Sequence, residues 1–385
     1  AIPPKGEGFP PVSRSNKKQV TKRRRSKKRA AVPFLQRNFP KEIIKRLEVV
    51  TGISGRRPAE IFSDWVFITE ATLKALPDQV KAVGVTGHFA EDAPEVADTF
   101  ARVRGHYNPK YLGEERAQRV WHSFAEAFAL LLEATAPGLW GEPNSLSVAG
   151  ISGPDVLGHI FQTWASPPSG KTWHGQVLTP WNVALMMAQM LNTDLERMIY
   201  DRVKEALCHS ENVLGAAVLL ASLAIPEDEP GAHFDWFLNR CLPAAAPWLK
   251  PILVQEPAVG TGVMILAHAA ASPEWAVRNY LIRYHGQDID PLMVACANSS
   301  LMLYGLNTYS LQLESAVMEA LQTRQQRSEN GQILSAPSPA EAIRDVYRNG
   351  GNGSLRIDDN QATFEKMFRA TAMRQPNPAV VHEGG

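Results

Sequence analysis

The stretch Glu256-Pro257-Ala258-Val259-Gly260-Thr261-Gly262 constrains the fold more than any other part of the chain. The apolar run Ile252-Leu253-Val254 precedes it and reads as a buried strand; Val263 to Ala271 follows and is apolar at helical length. A strand, a glycine turn and a helix in that order bring backbone N–H groups against a nucleotide-like ligand. Gly260 and Gly262 lack a Cβ, so the chain can turn sharply there and a ligand can approach the backbone.

A lone G-x-G carries little weight by itself; the segments on either side supply the context. Downstream, Leu281-Ile282 leads into Gly286-Gln287-Asp288-Ile289-Asp290, and Pro291 to Tyr304 reads as a helix. Asp288 stands 26 residues after Gly262, where an acid at the end of a second strand can take ribose hydroxyls. Asp288 and Asp290 also suit helix capping, and both roles can coexist in neighbouring acids. Upstream lies Gly175-Gln176-Val177-Leu178-Thr179-Pro180, then a helical Trp181 to Leu191. Thr179 fits an N-cap and Pro180 a first helical turn. Further upstream, Asp155-Val156-Leu157-Gly158-His159-Ile160-Phe161 opens another helical segment.

The order D-x-L-G-x-I-F, G-Q-x-x-T-P, E-P-A-x-G-T-G and G-Q-D-I-D, with N-x-x-L-x-x-Y-G-L after it, resembles the adenine-N6 DNA methyltransferases. The modification subunits of type I restriction systems look most similar, over residues 155–315. The resemblance implies an α/β fold with a Rossmann-like sheet that binds S-adenosylmethionine. By position, Thr179 and Pro180 would border the methionine end of that cofactor. Glu256, Ala258, Gly260 and Gly262 would form its turn, and Asp288 would take its ribose hydroxyls.

The departures are as informative. Glu256 and Val259 stand where the family usually has Asp and Cys. The interval from Pro180 to Pro257 is long for the family and holds helical-looking Leu195–His209, Val213–Ala224 and Trp236–Trp248, which predicts a helical insert over about 194–250. The family's catalytic loop is a [D/N/S]-P-P-[Y/F] tetrad. Its acceptor groups keep the amine's lone pair available, and its ring stacks on the flipped base. The chain has no such tetrad. After the strand-like Ile333-Leu334 it reads Ala336-Pro337-Ser338-Pro339, a degenerate copy whose first position, Ala336, has no side-chain acceptor and whose last, Pro339, has no aromatic ring. Glu314, in a helical context, is a weak counterpart of the acid that contacts the cofactor's adenine. Only 46 residues follow Pro339, including helical-looking Ala340–Tyr347 and Ala362–Met373 around Gly350-Gly351-Asn352-Gly353, so the expectation is a truncated sheet and a C-terminal helical extension over 336–385.

Charge divides the chain unevenly. The first 30 residues hold eleven cations against Glu7 alone, a balance of +10, so a net +1 leaves −9 for the rest. Ten of those cations, Arg14, Lys17, Lys18, Lys22, Arg23, Arg24, Arg25, Lys27, Lys28 and Arg29, lie within 14–29 with no acid between them. With neighbouring Pro3, Pro4, Gly6, Gly8, Pro10 and Pro11, this arm cannot bury a core and is expected to be disordered when free. It suits polyanions, with DNA, RNA and anionic membrane all open and nucleic acid favoured; it offers no aromatic interleaving and so no evident base readout.

Residues 31–150 form a separate, helical N-terminal block. Lys41–Val50, Pro58–Phe67, Glu70–Leu76 and Glu114–Ala134 read as helices, the last with Trp121, Phe124, Phe128 and Leu132 on one face. Cys208, Cys241 and Cys296 are far apart, which suits a reducing, cytoplasmic compartment and argues against a zinc site. His122, His159, His174 and His209 lack metal-ligand spacing. No apolar run is long enough to span a bilayer, and the basic N-terminus lacks the apolar core of a secretory signal.

These readings predict an α/β chain in four parts: a basic arm over 1–30, a helical domain over 31–150, a truncated Rossmann-like domain with a helical insert over 151–335, and the extension. Two functions compete. One is a methyltransferase-derived nucleic-acid-binding or scaffold protein, with a possible protein partner and no adenine-N6 activity of its own. The other is an active S-adenosylmethionine-dependent DNA methyltransferase whose catalytic loop is atypical or supplied by a partner.

Overall fold

Helix α1 (Phe39–Ser54) starts where Asn38 Oδ1 accepts from the Lys41 amide and stops at Gly55, whose φ of 69° suits glycine. Its buried face is Phe39, Ile43, Leu47 and Val50, at three- and four-residue steps. Helix α2 (Pro58–Thr86) is a single 29-residue helix where the sequence predicted two, and it runs through Pro77. Proline removes one helical N–H donor. Here burial offsets that loss: Ile61, Phe62, Trp65, Ile68, Leu73 and Leu76 are covered on several sides, as in a helix at the centre of a core.

Helices α3 (Pro94–His106), α4 (Pro109–Leu112) and α5 (Glu114–Thr135) pack around α2 and α1. On α5, Phe124 and Phe128 are fully buried while Trp121 and Leu132 flank the core. Trp65 Nε1 donates to the Phe124 carbonyl at 3.3 Å, tying α2 to α5. Asp64 of α2 is buried with partners on three sides: Tyr107 Oη donates to it at 2.9 Å, His106 Nδ1 lies at 3.0 Å and Arg56 at 3.3 Å. Such a group stays buried only because its acceptors are used.

The computed structural model describes residues 38–140, 153–166, 178–226, 228–306 and 309–329, all within one unit of chain, 34–385. The basic arm, the 336–385 extension and the Ile333–Pro339 loop lie outside the described residues, as do Gly175, Gln176, His174 and the side chain of Glu314.

After residue 150 come α6 (Val156–Ile160), extended by a π turn over Phe161–Ala165, and α7 (Trp181–Leu191). Pro180 is the N-cap of α7 with ψ of 140°, and its carbonyl accepts from Ala184 N at 3.0 Å. The sequence had placed Thr179 there and Pro180 inside the first turn. The first helical bond begins one residue later, and Thr179 makes no cap. The expected insert contains α8 (Leu195–Leu207), α9 (Val213–Ser222), α10 (Pro230–Trp236) and α11 (Leu242–Ala245). A π turn over Phe237–Cys241 joins the last two, just ahead of Pro243, which has no amide to give.

Strand β1 (Ile252–Glu256), α12 (Val263–Ala271), α13 (Glu274–Arg278), β2 (Ile282–Gly286), α14 (Pro291–Leu303) and α15 (Tyr309–Glu329) complete the order. The two strands pair in parallel, Ile252 opposite Ile282 through Glu256 opposite Gly286. One face, with Ile252, Val254, Ile282 and Tyr284, packs on the core; Leu253, Gln255, Arg283 and His285 on the other are exposed. The described residues are thus mostly helical around one βαβ unit, with a two-stranded sheet.

The core does not break at residue 150. One cluster joins Phe39, Trp65 and Phe124 to Val156, Leu157, Met293, Cys296 and Ala316; a second joins the covered sheet face to α8, α11 and α12. Asn298 of α14 donates to Glu70 of α2 at 2.9 Å. Helix α15 crosses α2 where a Cβ on Gly84 would collide with Ala320.

Candidate cofactor crevice at the ends of the two strands

Ligands of open α/β sheets bind outside the carboxyl ends of the strands. Here the strand ends are laced together beyond their ladder: Gln287 N donates to the Glu256 carbonyl at 3.0 Å and Val259 N to the Gln287 carbonyl at 2.9 Å. Gly286 has no room for a side chain, since a Cβ would stand 2.7 Å from Val259 Cγ2. The glycine turn is set on this base. Gly260 has φ of 53° and Gly262 φ of 100°, a region that costs other residues energy. Gly262 is the N-cap of α12, where no side chain caps the first amides, and it rests against Ala297 of α14. Unfilled amides at a helix start, reached through glycine, suit an anionic or hydroxyl-bearing group.

Asp288 closes the turn from the other strand. Its Oδ2 accepts from Gly260 N at 2.9 Å and its Oδ1 from Asp290 N at 3.0 Å. Asp290 caps α14 by accepting from Leu292 N. The two acids therefore divide the roles: Asp290 caps, and Asp288 positions the turn. An ionised carboxylate offers about four acceptor sites, so Asp288 retains capacity for further donors. Glu256 accepts from Ala258 N through its own side chain at 3.1 Å. Ile289, between the two acids, is 91% exposed. The sequence reading passed over it; an apolar residue flanked by loop acids was the available signal.

Two distant segments reach the same turn. Leu178 Cδ2 lies 3.2 Å from where a Gly260 Cβ would stand, which brings the neighbourhood of Thr179 and Pro180 to the glycine turn. Helix α7, which those residues enter, packs along α12. Asp155 accepts from the Thr261 hydroxyl at 2.6 Å and from Gly158 N at 2.8 Å. Loss of solvent pushes the Asp155 carboxyl up to about 6, against both hydrogen bonds, which pull it down. Sequence reasoning placed Asp155 only at a helix start and did not link it to Thr261, 106 residues away.

All four sequence segments thus converge. Gly260, Gly262, Glu256, Ala258 and Asp288 form the turn and its rim, Leu178 lies against the turn, and Asp155 lies behind it. The residues expected to bind nucleic acid and those of the degenerate loop are not among those described. Among the described residues no group of His, Cys, Asp and Glu is placed to hold a metal ion, and no helix is long and apolar enough to cross a membrane. Cys241 and Cys296 are buried free thiols and Cys208 is exposed. Comparison with protein-family models, curated proteins and solved structures found no match.

Proposed function

We propose that this chain is a methyltransferase-derived protein that binds S-adenosylmethionine at the glycine turn, associates with nucleic acid through its basic arm, and does not methylate adenine N6 by itself. The observation that carries this reading is convergence. Segments spread over residues 155–290 meet at one turn, through Asp155 to Thr261, Leu178 against Gly260, and Asp288 to Gly260. Chance resemblance in four separate motifs gives no reason for such a meeting.

The residues present fit the group. Gly260 and Gly262 leave the backbone open where other residues would place a Cβ. Asp288 would accept from ribose hydroxyls with its remaining lone pairs. Ile289 offers an exposed apolar side chain against which a purine can pack. Thr179 and Pro180 would border the methionine end. When bound, S-adenosylmethionine supplies an electrophilic methyl group on a sulfonium. The chain's own part is to bind and orient.

The sequence Ala336-Pro337-Ser338-Pro339 supports a protein without adenine-N6 chemistry. Ala336 has no side-chain acceptor for the amine, and Pro339 has no aromatic ring to stack on a flipped base. The alternative, a working methyltransferase with an atypical or partner-supplied catalytic loop, draws its support from the same well-formed turn.

Titration calorimetry with S-adenosylmethionine tests the reading. The wild-type chain should bind, and Gly260→Asp should abolish binding by adding a carboxylate beside Asp288 in a left-handed position. No binding by the folded wild-type chain rejects the cofactor reading.

A further inference from the structure

We propose that Asp155 is a positioning residue for the glycine turn: its ionised carboxylate anchors the Thr261 hydroxyl and so holds the turn in its ligand-accepting shape. The anchoring stands on geometry alone; its effect on a ligand rests on the cofactor reading above.

Thr261 sits between Gly260 and Gly262, the two residues of the turn with the widest backbone freedom. A contact on the residue between them restrains both. Thr261 is fully buried, and its Oγ1 lies 2.6 Å from Asp155 Oδ2, the short spacing of a hydroxyl donating to a charged carboxylate. The carboxylate is itself fixed, because Oδ1 accepts from Gly158 N at 2.8 Å. Gly158 is part of the device: a Cβ there would collide with Asp155 Oδ2 and stand 2.6 Å from Thr261 Oγ1. The segment is held from behind by Tyr304, whose hydroxyl donates to the Pro154 carbonyl at 2.9 Å.

The titratable groups that face Asp155 sharpen the consequence. The Cys296 thiol of α14 and the phenol of Tyr304, just past its end, both feel its charge, and burial keeps each of them protonated. Asp290 and Glu70 face Cys296 and add further negative charge on that side. Among the described residues no cation offsets Asp155; its stabilising contacts are the Thr261 hydroxyl and the Gly158 amide. Its carboxyl therefore takes a proton near pH 6, far above an ordinary aspartate. The charge-assisted anchoring is present above that pH and weakens to a neutral hydrogen bond as pH falls through it. A ligand that requires the anchored turn binds the ionised form, so its affinity falls below pH 6, by at most about tenfold per pH unit.

The test is a pH series of S-adenosylmethionine affinity from 5 to 7.5, with amide hydrogen exchange over residues 259–263 in the ligand-free chain. The wild-type dissociation constant should rise about tenfold between pH 7 and pH 5. Asp155→Asn and Thr261→Val should bind weakly with no step near pH 6, while Thr261→Ser, which keeps the hydroxyl, should restore the step. Turn amides should exchange faster in Asp155→Asn and Thr261→Val but not in Thr261→Ser. A wild-type affinity that is flat across this range, or a step that survives Asp155→Asn, overturns the proposal. If the wild-type chain binds no ligand at any pH, the cofactor reading fails and the exchange data decide the anchoring. Faster exchange in Asp155→Asn, with Thr261→Ser like wild type, upholds it; equal exchange in all four chains overturns it. The wild-type pH series needs no variant to fold.

Discussion

Asn212 shows how much a single side chain can hold. Its Oδ1 accepts from Gly215 N at 2.7 Å and starts α9, while its Nδ2 donates to the carbonyls of Ala206 and Ala244 at 2.9 Å each. One buried amide therefore ties three helices, α8, α9 and α11, through complementary donor and acceptor atoms. Asn212→Asp keeps the acceptor and the shape but cannot donate, leaving two buried carbonyls facing a carboxylate. The expected cost is about 2–3 kcal/mol, read as a lowered urea midpoint with unchanged far-ultraviolet circular dichroism. Asn212→Ala also loses the cap, and should fall in a similar range of about 1–3 kcal/mol. A loss below a few tenths for Asn212→Asp would mean that water satisfies those carbonyls. Gly260→Asp belongs to the same scale, because its left-handed φ and its contact with Asp288 are properties of one residue.

At the scale of elements, α2 organises the molecule. It packs against α1 and α3 from one side of the chain order and α14 and α15 from the other. Its closest approach is to α15, where Gly84 meets Ala320 and Lys81 pairs with Glu319 at 3.0 Å. In an exposed helix, Gly84→Ala would gain about 0.8–1.0 kcal/mol from propensity. Here the added methyl has no space, and overpacking costs about 1–3 kcal/mol. The two helices must then separate or shift, so the net change should be destabilising. Gly84→Leu should be worse. The check is the denaturant midpoint of both variants; a gain in stability for Gly84→Ala would show that α15 gives way freely. The exposed pair of strands is the other notable element. A parallel sheet is usually covered on both faces, and here Leu253 of the open face is 59% exposed.

At the scale of the whole chain, charge separates the arm from the remainder: +10 in the first 30 residues and −9 beyond. If all ten cations of 14–29 met phosphates, the slope of log affinity against log salt on duplex DNA would approach about −9, and fewer contacts would give a shallower slope. Deleting residues 1–30 should remove most of that dependence, measured by fluorescence anisotropy across a salt series. An unchanged slope would show that the arm serves something other than DNA binding, such as a protein or ribonucleoprotein assembly. The methylation prediction also concerns the whole chain. Losing the preorganised acceptor at the first loop position costs about 10² to 10³ in rate, so tritium transfer from labelled S-adenosylmethionine to adenine-rich DNA should stay far below that of a working adenine methyltransferase. Turnover near that control would favour the partner-independent enzyme.

Local chemistry made much of this legible in the sequence. The run Ile252-Leu253-Val254, the helix Val263–Ala271, the strand after Leu281 and the helix from Pro291 all follow from apolar runs punctuated by glycine, proline and capping acids, signals that act within a few residues. The glycine turn was legible for the same reason: only glycine enters its backbone region cheaply. Contacts between distant segments were not. Asp155 to Thr261 spans 106 residues and Asn298 to Glu70 spans 228, and no local pattern encodes either. Local pattern reads Pro58–Phe67 and Glu70–Leu76 as two helices, whereas burial on several sides keeps α2 whole from Pro58 through Pro77 to Thr86. Which segments become strand, turn or helix follows from preferences that act within a few residues. Which of them meet follows from burial and pairing between parts of the chain that no local preference connects.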